Sequence, residues 1–302
     1  MSERTGTELE ITDGAARAVI TTIGAGLRVF EVGGAPYAET FAPGDEPPLG
    51  AGCVLVPWPN RVAGGRWRLD GQPQELKLTE PERGNAIHGL ARHDTWTVTH
   101  RRPSAVSLEL VIEPQAGWPV RLRTTIDYAL RAGGLTVTHG VHNLGTRPVP
   151  FGVGAHPYPR AGVAATDDCA LTLSASTVLP LDQERMVPSG DASPVAGTEY
   201  DFSTARSLRG VSLDTPFGGC VPGADGLVRH ALTARGGGVE IWADPDFRWV
   251  QVFTPDAFPG RGRAIAIEPM TCPPDALNSG TDLITLTPGE SWQGRWGIQP
   301  VI

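Results

Sequence analysis

The sequence predicts an all-β protein, folded either as a large sandwich or as a barrel. Apolar and polar residues alternate with a period of two along several segments, as in strands that bury one face. Glycine and proline are abundant, with 38 and 28 of the 302 residues, and both favour short strands joined by turns. No apolar pattern with the 3.6-residue period of a helix extends over about 12 residues.

The alternation defines a series of strands along the chain. In one of them Val106, Leu108 and Ile112 point to one face and Ser107 and Glu109 to the other. The predicted strands lie at 29–32, 106–112, 122–130, 135–141, 239–242 and 249–253, with an apolar run at 264–267 and two further strands within 283–298. Turn signals lie between them, at Asp70-Gly71, Ala132-Gly133-Gly134, Asn143-Leu144-Gly145 and Pro288-Gly289-Glu290.

We predict one domain that spans residues 1–302. The stretch 186–198 is rich in proline, glycine and serine and is the best candidate for a long loop. Strand patterns of the same kind flank it on both sides, so it is not predicted to be a linker between domains. The sequence shows no internal repeat and no long run of charge.

The charge of the chain argues against binding to nucleic acid. The formal net charge is -8, and the basic pairs Arg101-Arg102 and Arg121/Arg123 are short. A nucleic-acid surface needs a basic stripe that neutralises phosphates. The chain also has no run of 18 apolar residues and no apolar signal region after Met1, which predicts a cytoplasmic protein without a membrane partner.

No metal or organic cofactor is expected. Four scattered cysteines, without a CxxC pair, predict free buried thiols, and the histidines show no ligand spacing with Asp or Glu. Gly24-Ala25-Gly26 lacks the third glycine of a dinucleotide-binding fingerprint and precedes a predicted strand instead of a helix.

Glu268 is the strongest candidate for a catalytic residue. It follows the apolar run 264–267, which is typical of a buried strand, and precedes Pro269. Because proline cannot donate to a ladder, the strand is predicted to end at Glu268. A carboxylate at the mouth of a buried strand is partly desolvated, which raises its pKa and makes it a better base.

Two histidines lie in glycine-containing segments that can expose an imidazole. His156 belongs to Gly154-Ala155-His156-Pro157-Tyr158, where it is a candidate general acid beside a possible stacking surface on Tyr158. His88 belongs to Asn85-Ala86-Ile87-His88-Gly89 and is a candidate either for the site or for the core. A carboxylate that faced His156 across a ligand would keep the imidazolium charged.

Three further residues are candidates for binding a polar ligand. Asn60-Arg61 ends an apolar segment, and a planar guanidinium suits bidentate recognition of polar groups such as sugar hydroxyls. Asp214 precedes Thr215-Pro216. Its side chain either accepts hydrogen bonds from ligand hydroxyls or stabilises a turn.

Six segments in order resemble the aldose 1-epimerase (galactose mutarotase) family. They cover about residues 55 to 280. The segments are Pro57-Trp58-Pro59-Asn60-Arg61-Val62-Ala63-Gly64-Gly65, Asn85-Ala86-Ile87-His88-Gly89, Gly154-Ala155-His156-Pro157-Tyr158, Leu213-Asp214-Thr215-Pro216-Phe217, Gln251-Val252-Phe253-Thr254, and Ile267-Glu268-Pro269-Met270 through Pro274-Asp275-Ala276.

The resemblance implies a large antiparallel β-sandwich, the supersandwich, that interconverts the α and β anomers of a free aldose without a cofactor. It implies that Glu268 is the general base, His156 the general acid and His88 a catalytic residue near the ring oxygen. The expected substrate-binding residues are Arg61, Asn60, Asp214, Tyr158 and Phe217. The expected partner is a monosaccharide, and the expected state is a monomer or homodimer.

Some alternatives remain open at this stage. Pro159 replaces the phenylalanine that many family members have after His-Pro-Tyr, so the particular sugar is not fixed. A non-catalytic sugar-binding protein has the same fold, and a glycosidase needs a second carboxylate, for which Asp214 is the candidate. A hexose-phosphate mutarotase needs extra basic residues, for which the candidates are Arg66, Arg83, Arg92 and Arg160.

Overall fold

The protein is built from antiparallel strands, which a computed structural model describes over residues 5–301. The strands of the first half are β1 (Glu8–Asp13), β2 (Ala16–Thr21), β3 (Leu27–Val32), β4 (Ala35–Pro36), β5 (Val54–Leu55), β6 (Arg61–Ala63), β7 (Arg66–Leu69), β8 (Gln72–Glu75), β9 (Asn85–Ile87), β10 (Thr97–Arg102), β11 (Ala105–Ile112), β12 (Leu122–Arg131), β13 (Gly134–Asn143) and β14 (Val149–Phe151).

The second half contains the remaining strands and very little helix. The strands are β15 (Gly154–Ala155), β16 (Ala170–Leu173), β17 (Thr177–Val178), β18 (Ser193–Pro194), β19 (Arg206–Ser207), β20 (Asp214–Gly218), β21 (Val228–Ala234), β22 (Gly237–Ala243), β23 (Trp249–Phe253), β24 (Ala266–Met270), β25 (Ile284–Leu286) and β26 (Ser291–Val301). The helical segments are α1 (Ala276–Ser279) and 3₁₀ turns at Pro48–Gly50 and Thr166–Asp168.

Two large sheets organise the fold. The first has nine strands in the order β10-β11-β12-β13-β26-β22-β21-β16-β19, and the second has seven in the order β18-β17-β20-β23-β24-β15-β5. One buried apolar cluster includes Val137 and Ile241 from the first sheet and Val252 and Ile267 from the second. Because a sheet needs a partner for its apolar face, the shared cluster makes the architecture a sandwich.

The strand predictions from the alternating pattern are confirmed. β11 buries Val106, Leu108 and Ile112, and β12 buries Leu122, Ile126 and other residues on the same face. The stretch 186–198 is a loop apart from the two residues of β18. The four cysteines are free and buried, as expected. No helix within residues 5–301 has the length and apolar character needed to cross a membrane.

Buried neutral histidines in the sandwich make its stability depend on pH. His139 accepts a hydrogen bond from Trp296 Nε1 at 2.9 Å, and burial lowers the pKa of His139 to about 3. Burial also lowers the pKa of His230 to about 4. The unfolded chain binds protons at these histidines from about pH 6.5 downwards, whereas the folded chain does not.

We therefore expect the free energy of unfolding to fall as the pH drops from about 6.5 towards 4, by up to about 1.4 kcal/mol per pH unit for each such histidine. Urea unfolding between pH 8 and pH 5 measures this slope. His139→Gln is expected to make it shallower, whereas His100→Gln, on the exposed strand β10, serves as the control. Equal slopes for the His139 variant and the unmodified protein would contradict this origin of the pH dependence.

Candidate active site

Three neighbouring strands of the seven-stranded sheet place polar side chains side by side. Gln251 of β23 lies directly opposite Glu268 of β24, and Asp214 of β20 lies opposite Phe253 of β23. Residues directly opposite each other in an antiparallel pair point to the same face, and so do residues two apart in one strand. Glu268, Gln251 and Asp214 therefore project from one face of the sheet.

Glu268 lies in the middle of its strand, so the prediction that the strand ends there is wrong. β24 continues through Pro269 to Met270 and pairs with β23 along its whole length. Ile267 and Thr271 donate their N–H groups to the segment around β15. Pro269 lies between these two donors, so its missing N–H faces the short β15 pairing and leaves the β23 ladder intact.

His156 follows β15, the strand on the other side of β24. Its backbone is held on both sides, because its N–H donates to Cys53 O at 3.1 Å and its carbonyl accepts from Gly52 N at 2.9 Å. Gly50 covers the ring: a Cβ at this residue, which has a φ of +76°, would lie 3.0 Å from His156 Cδ2. A side chain at residue 50 would therefore crowd the imidazole and require a small shift, and it would also be strained by the positive φ.

His88 lies beside His156 in the cleft, and its backbone adopts an unusual conformation. His88 has a φ of 62°, in the left-handed region that side-chain-bearing residues seldom adopt. Its N–H donates to Asn60 O at 2.8 Å, and its ring lies edge-on to that of His156 with centroids 5.4 Å apart. Strained backbone of this kind persists where the surroundings fix it, often at functional sites. The structure places His88 in the site, not in the core.

His156 and Glu268 form a buried acid–base pair. His156 Nε2 lies 3.4 Å from Glu268 Oε1, and the two side chains are 5% and 2% exposed. Burial lowers the pKa of His156 to about 3. Burial, and then the nearby Asp214 carboxylate, raise the pKa of Glu268 well above its usual value. Desolvation disfavours both charged forms, so burial favours a neutral carboxyl group and a neutral imidazole. The expected imidazolium concerns a ligand that lies between the two groups, and it stays a prediction.

Several polar atoms of Glu268 and the two cleft histidines have no protein partner. The Oε2 atom of Glu268 and the Nδ1 atoms of His88 and His156 make no hydrogen bond to any described residue. A buried polar group without a partner costs about 1–3 kcal/mol, so each such group calls for an explanation, such as a catalytic role or a bound water or ligand. Ligand hydroxyls are suitable partners because each can donate and accept a hydrogen bond.

A chain of hydrogen bonds fixes the groups beside Glu268. Asn60 Nδ2 donates to Gln251 Oε1 at 3.3 Å, and Gln251 Nε2 donates to Asp214 Oδ1 at 2.6 Å. Asn60 Oδ1 is occupied as well, since it accepts from the Arg61 N–H at 2.9 Å. Burial raises the pKa of Asp214. One Asp214 oxygen is thus committed to Gln251, and the other is left to accept from a ligand.

Arg61 is held by a carboxylate that sequence reasoning did not identify. Its Nε and Nη2 atoms donate to the two oxygens of Glu80 at 2.8 and 2.9 Å, and Asn85 Nδ2 donates to Glu80 Oε2 at 3.1 Å. This bidentate geometry is the strongest form of the arginine–carboxylate pair. It leaves the Nη1 end of the guanidinium for a ligand.

These residues line one open cleft of about 370 Å³. Its walls carry both ionisable groups and hydrogen-bonding side chains, which suits a small polyhydroxylated ligand. The described residues include no group of three or more His, Cys, Asp or Glu side chains placed to hold a metal ion. The predicted site residues found here are Glu268, His156, His88, Asn60, Arg61 and Asp214.

Two predicted substrate-binding residues lie elsewhere. Tyr158 stacks behind His156, with ring centroids 5.2 Å apart, and donates its hydroxyl to Leu49 O. It supports the imidazole and does not line the cleft. Phe217 is fully buried in the core beside Phe202. It lies three residues after Asp214 in β20, so the two side chains point to opposite faces.

The structure also adds two residues to the predicted site. Gln251 and Phe253 line the cleft and come from one of the quoted segments. Their spacing of two was a signal that both face the same side of a strand.

The four arginines that were candidates for binding a phosphate lie in different places. Arg92 lines the cleft. Arg83 and Arg160 bind protein groups, and Arg66 lies at a solvent-exposed strand position.

A large antiparallel sandwich that presents a glutamate and two histidines in one polar cleft places this protein in the galactose mutarotase-like class. A family model described as aldose 1-epimerase matches residues 7–299, and the chain belongs to that family. The family predicted from the six segments is thereby confirmed.

The chain is also similar to individual proteins. The uncharacterized protein YihR of Escherichia coli K12 is 31% identical over 291 residues, which cover 94% of this chain and 90% of YihR. Human galactose mutarotase is 28% identical over 157 residues, which cover 50% of this chain and 44% of that protein. The GalM/aldose epimerase homologue from C. elegans superimposes with a TM-score of 0.85 at 17% identity and covers 97% of this chain and 98% of its own, which shows the shared fold.

Proposed function

We propose that the protein is an aldose 1-epimerase that interconverts the α and β anomers of a free hexose such as glucose or galactose. The observation that carries this proposal is the buried His156–Glu268 pair, 3.4 Å apart in an open polar cleft. A protein that only binds sugar has no need of an acid–base pair whose pKa values are shifted by burial.

The reaction moves two protons and breaks one C–O bond. Glu268 takes the proton from the anomeric hydroxyl while His156 protonates the ring oxygen, which opens the ring to the aldehyde. Rotation about C1–C2 presents the other face of the carbonyl, and the same groups act in reverse when the ring closes. Each correctly placed acid or base contributes typically 10²–10⁴-fold to the rate. The chain's own side chains supply both proton transfers, so the proposed mechanism uses no cofactor.

The pair must carry one proton in total for this chemistry. In the free protein the raised pKa of Glu268 and the lowered pKa of His156 favour that proton on the carboxyl group. A bound sugar changes the balance, because its anomeric hydroxyl donates to Glu268 and its ring oxygen accepts from His156. Hydrogen bonds to the charged forms favour them, so the substrate itself shifts the proton to His156.

Arg61, Asp214, Asn60 and Gln251 are proposed to bind the remaining hydroxyls. They line the same cleft as the pair. Hydrogen bonds link Asn60, Gln251 and Asp214 to one another, and Glu80 holds the Arg61 guanidinium. Fixed partners of this kind orient the sugar so that O1 faces Glu268.

Polarimetry tests the activity directly. Freshly dissolved α-D-glucose or α-D-galactose is expected to reach its equilibrium rotation faster with the protein than in buffer alone. Sugar binding by calorimetry without any rate enhancement would instead identify a non-catalytic binding protein. Release of nitrophenol from nitrophenyl glycosides would identify a hydrolase.

The pH dependence of kcat/KM for the free hexose is expected to reflect the coupled pair. The active form carries one proton, and a second proton must enter the buried His156, whose pKa is lowered to about 3. The acid limb of the profile should therefore lie well below the value of about 6.5 of an ordinary histidine. Initial rates measured from pH 4 to pH 8, corrected for the buffer reaction, check this. An acid limb centred at about 6.5 would contradict the neutral His156.

A further inference from the structure

A second cavity lies on the same face of the seven-stranded sheet, next to the proposed active site. It has a volume of about 380 Å³ and shares Asp214 with the first cleft. Leu179 N donates to Pro216 O, which places Leu179 next to Pro216, and Pro216 lies opposite Gln251. One transverse row of side chains therefore runs from Leu179 through Pro216 and Gln251 to Glu268. Its first two members lie in the second cavity and its last two in the first.

Hydrogen bonds within the protein hold the walls of this cavity in place. The loop after β17 is closed by Asp182, whose side chain accepts from the N–H groups of Glu184 and Arg185. Arg83 donates to Glu184 O at 2.9 Å, and Asn85 donates to Arg185 O at 2.7 Å. Asn85 also binds the carboxylate that holds Arg61, so the wall of the second cavity is connected to the wall of the first. A preformed cavity lowers the entropy cost of binding.

The lining combines one aromatic ring with apolar and hydroxyl-binding groups. Tyr200 lines the cavity, and its ring is fixed edge-on against the buried Phe217 with centroids 6.2 Å apart. Leu181 and Pro216 add apolar surface, while Gln183 and Ser193 add donors and acceptors. Sites with apolar walls and a few fixed polar groups are typical of small-molecule binding.

The charges of the side chains that line the second cavity limit the kind of ligand that can bind there. Asp214 and Glu199 contribute negative charge, and no lysine or arginine is among the described residues that line this cavity. An anionic substituent such as a phosphate would therefore find no basic partner among these lining side chains. A neutral polyhydroxylated group fits, because its C–H face can lie on Tyr200 while its hydroxyls bind the polar side chains.

We propose that this cavity is a second sugar subsite, which holds a neutral glycosyl unit linked to the hexose in the first cleft. The substrate class is then a neutral reducing disaccharide, with the reducing unit at Glu268 and the second unit beyond Asp214. This assignment rests on the proposed epimerase function, because Glu268 defines which sugar unit is the reducing one.

NMR exchange spectroscopy tests the subsite, because it measures anomer exchange of any reducing sugar at equilibrium. The probes are glucose and the four glucosyl-glucose disaccharides linked through O2, O3, O4 or O6. At least one disaccharide is expected to exchange with a kcat/KM about tenfold above that of glucose, which corresponds to about 1.4 kcal/mol of added binding. The linkage it carries identifies the hydroxyl beside Asp214.

Two variants and a control separate the two sites. Ser193→Trp fills the second cavity from an exposed position, and Tyr200→Ala removes its aromatic ring. Both are expected to lower kcat/KM for the preferred disaccharide about tenfold and to leave glucose within about twofold, in keeping with the size of a lost aromatic contact. Tyr37→Ala removes another half-buried tyrosine, which packs on Phe30, and should affect neither sugar selectively.

Each remaining outcome overturns the subsite. If no disaccharide exceeds glucose, or if both sugars respond in parallel to the cavity variants, the second cavity holds no sugar unit, although the epimerase function stands. If the unmodified protein accelerates exchange of neither glucose nor any disaccharide, the proposed function fails, and the subsite fails with it. Thermal unfolding of each variant shows whether a loss arises from misfolding.

Discussion

Glu268→Gln is expected to lower kcat/KM for hexose anomerisation by about 10²–10⁴-fold, because glutamine cannot accept the proton of the anomeric hydroxyl. The substitution preserves the shape of the side chain. Glu268 is 2% exposed, and burial already favours its neutral form, so a neutral amide is not expected to weaken the fold. The loss should therefore lie in the rate and not in the amount of folded protein.

The control for this experiment is Glu109→Gln, which makes the same change at a half-exposed position of β11, in the other large sheet. Polarimetry with α-D-glucose gives the rates, and urea unfolding gives the stability of each variant. The control should match the unmodified protein in both measurements. A Glu268→Gln enzyme that keeps more than about a tenth of the activity would show that another group is the base.

The sequence located the two residues of the proposed catalytic pair better than it located the residues around them. Glu268 was recognisable because a charge adjoins a long apolar run, and His156 because glycine and proline surround it. Both signals are local. What the sequence did not reveal is that Pro269 continues the strand, since this depends on which neighbour its missing N–H faces. Which neighbouring strand a given N–H faces depends on how the whole sheet is assembled, so the local sequence does not show it.

The residues that we propose to bind hydroxyls were harder to predict, because their hydrogen-bond partners are distant in the chain. Asn60 and Gln251 are 191 residues apart, and their hydrogen bond exists only in the folded sheet. Gln251 was therefore missed as a site residue, although it begins one of the six segments that resemble the family. Phe217 was wrongly included by its closeness to Asp214 in sequence. The period of two in β20 already separates these side chains onto opposite faces.

We propose that the buried Arg61–Glu80 pair serves both the stability of the fold and the binding of the sugar. Each side chain is 10% exposed, and the guanidinium makes two parallel hydrogen bonds to the carboxylate. Glu80 also accepts from Asn85 and lies 3.5 Å from Arg83 Nε. Such a cluster stabilises the fold only while every charge keeps its partner, because desolvation of an unpaired ion costs several kcal/mol.

Glu80→Ala is accordingly expected to destabilise the protein by about 3–5 kcal/mol, since it leaves Arg61 buried without its carboxylate. Urea unfolding measures the loss. Glu113→Ala removes the carboxylate of the solvent-exposed pair with Arg121 and should leave stability nearly unchanged. An equal loss in both variants would contradict a special role for burial.

Replacing both partners by apolar residues separates the two roles of Arg61. The double variant Arg61→Met/Glu80→Leu removes the charges together, so it is expected to recover most of the stability that Glu80→Ala loses. It cannot recover the Nη1 donor that we assign to a sugar hydroxyl. The double variant should therefore be stable yet have a kcat/KM at least about tenfold below that of the unmodified protein, which is the size of one hydrogen bond to a charged group. If the stable double variant is fully active, Arg61 serves only the fold, and hydroxyl binding falls to Asp214, Asn60 and Gln251.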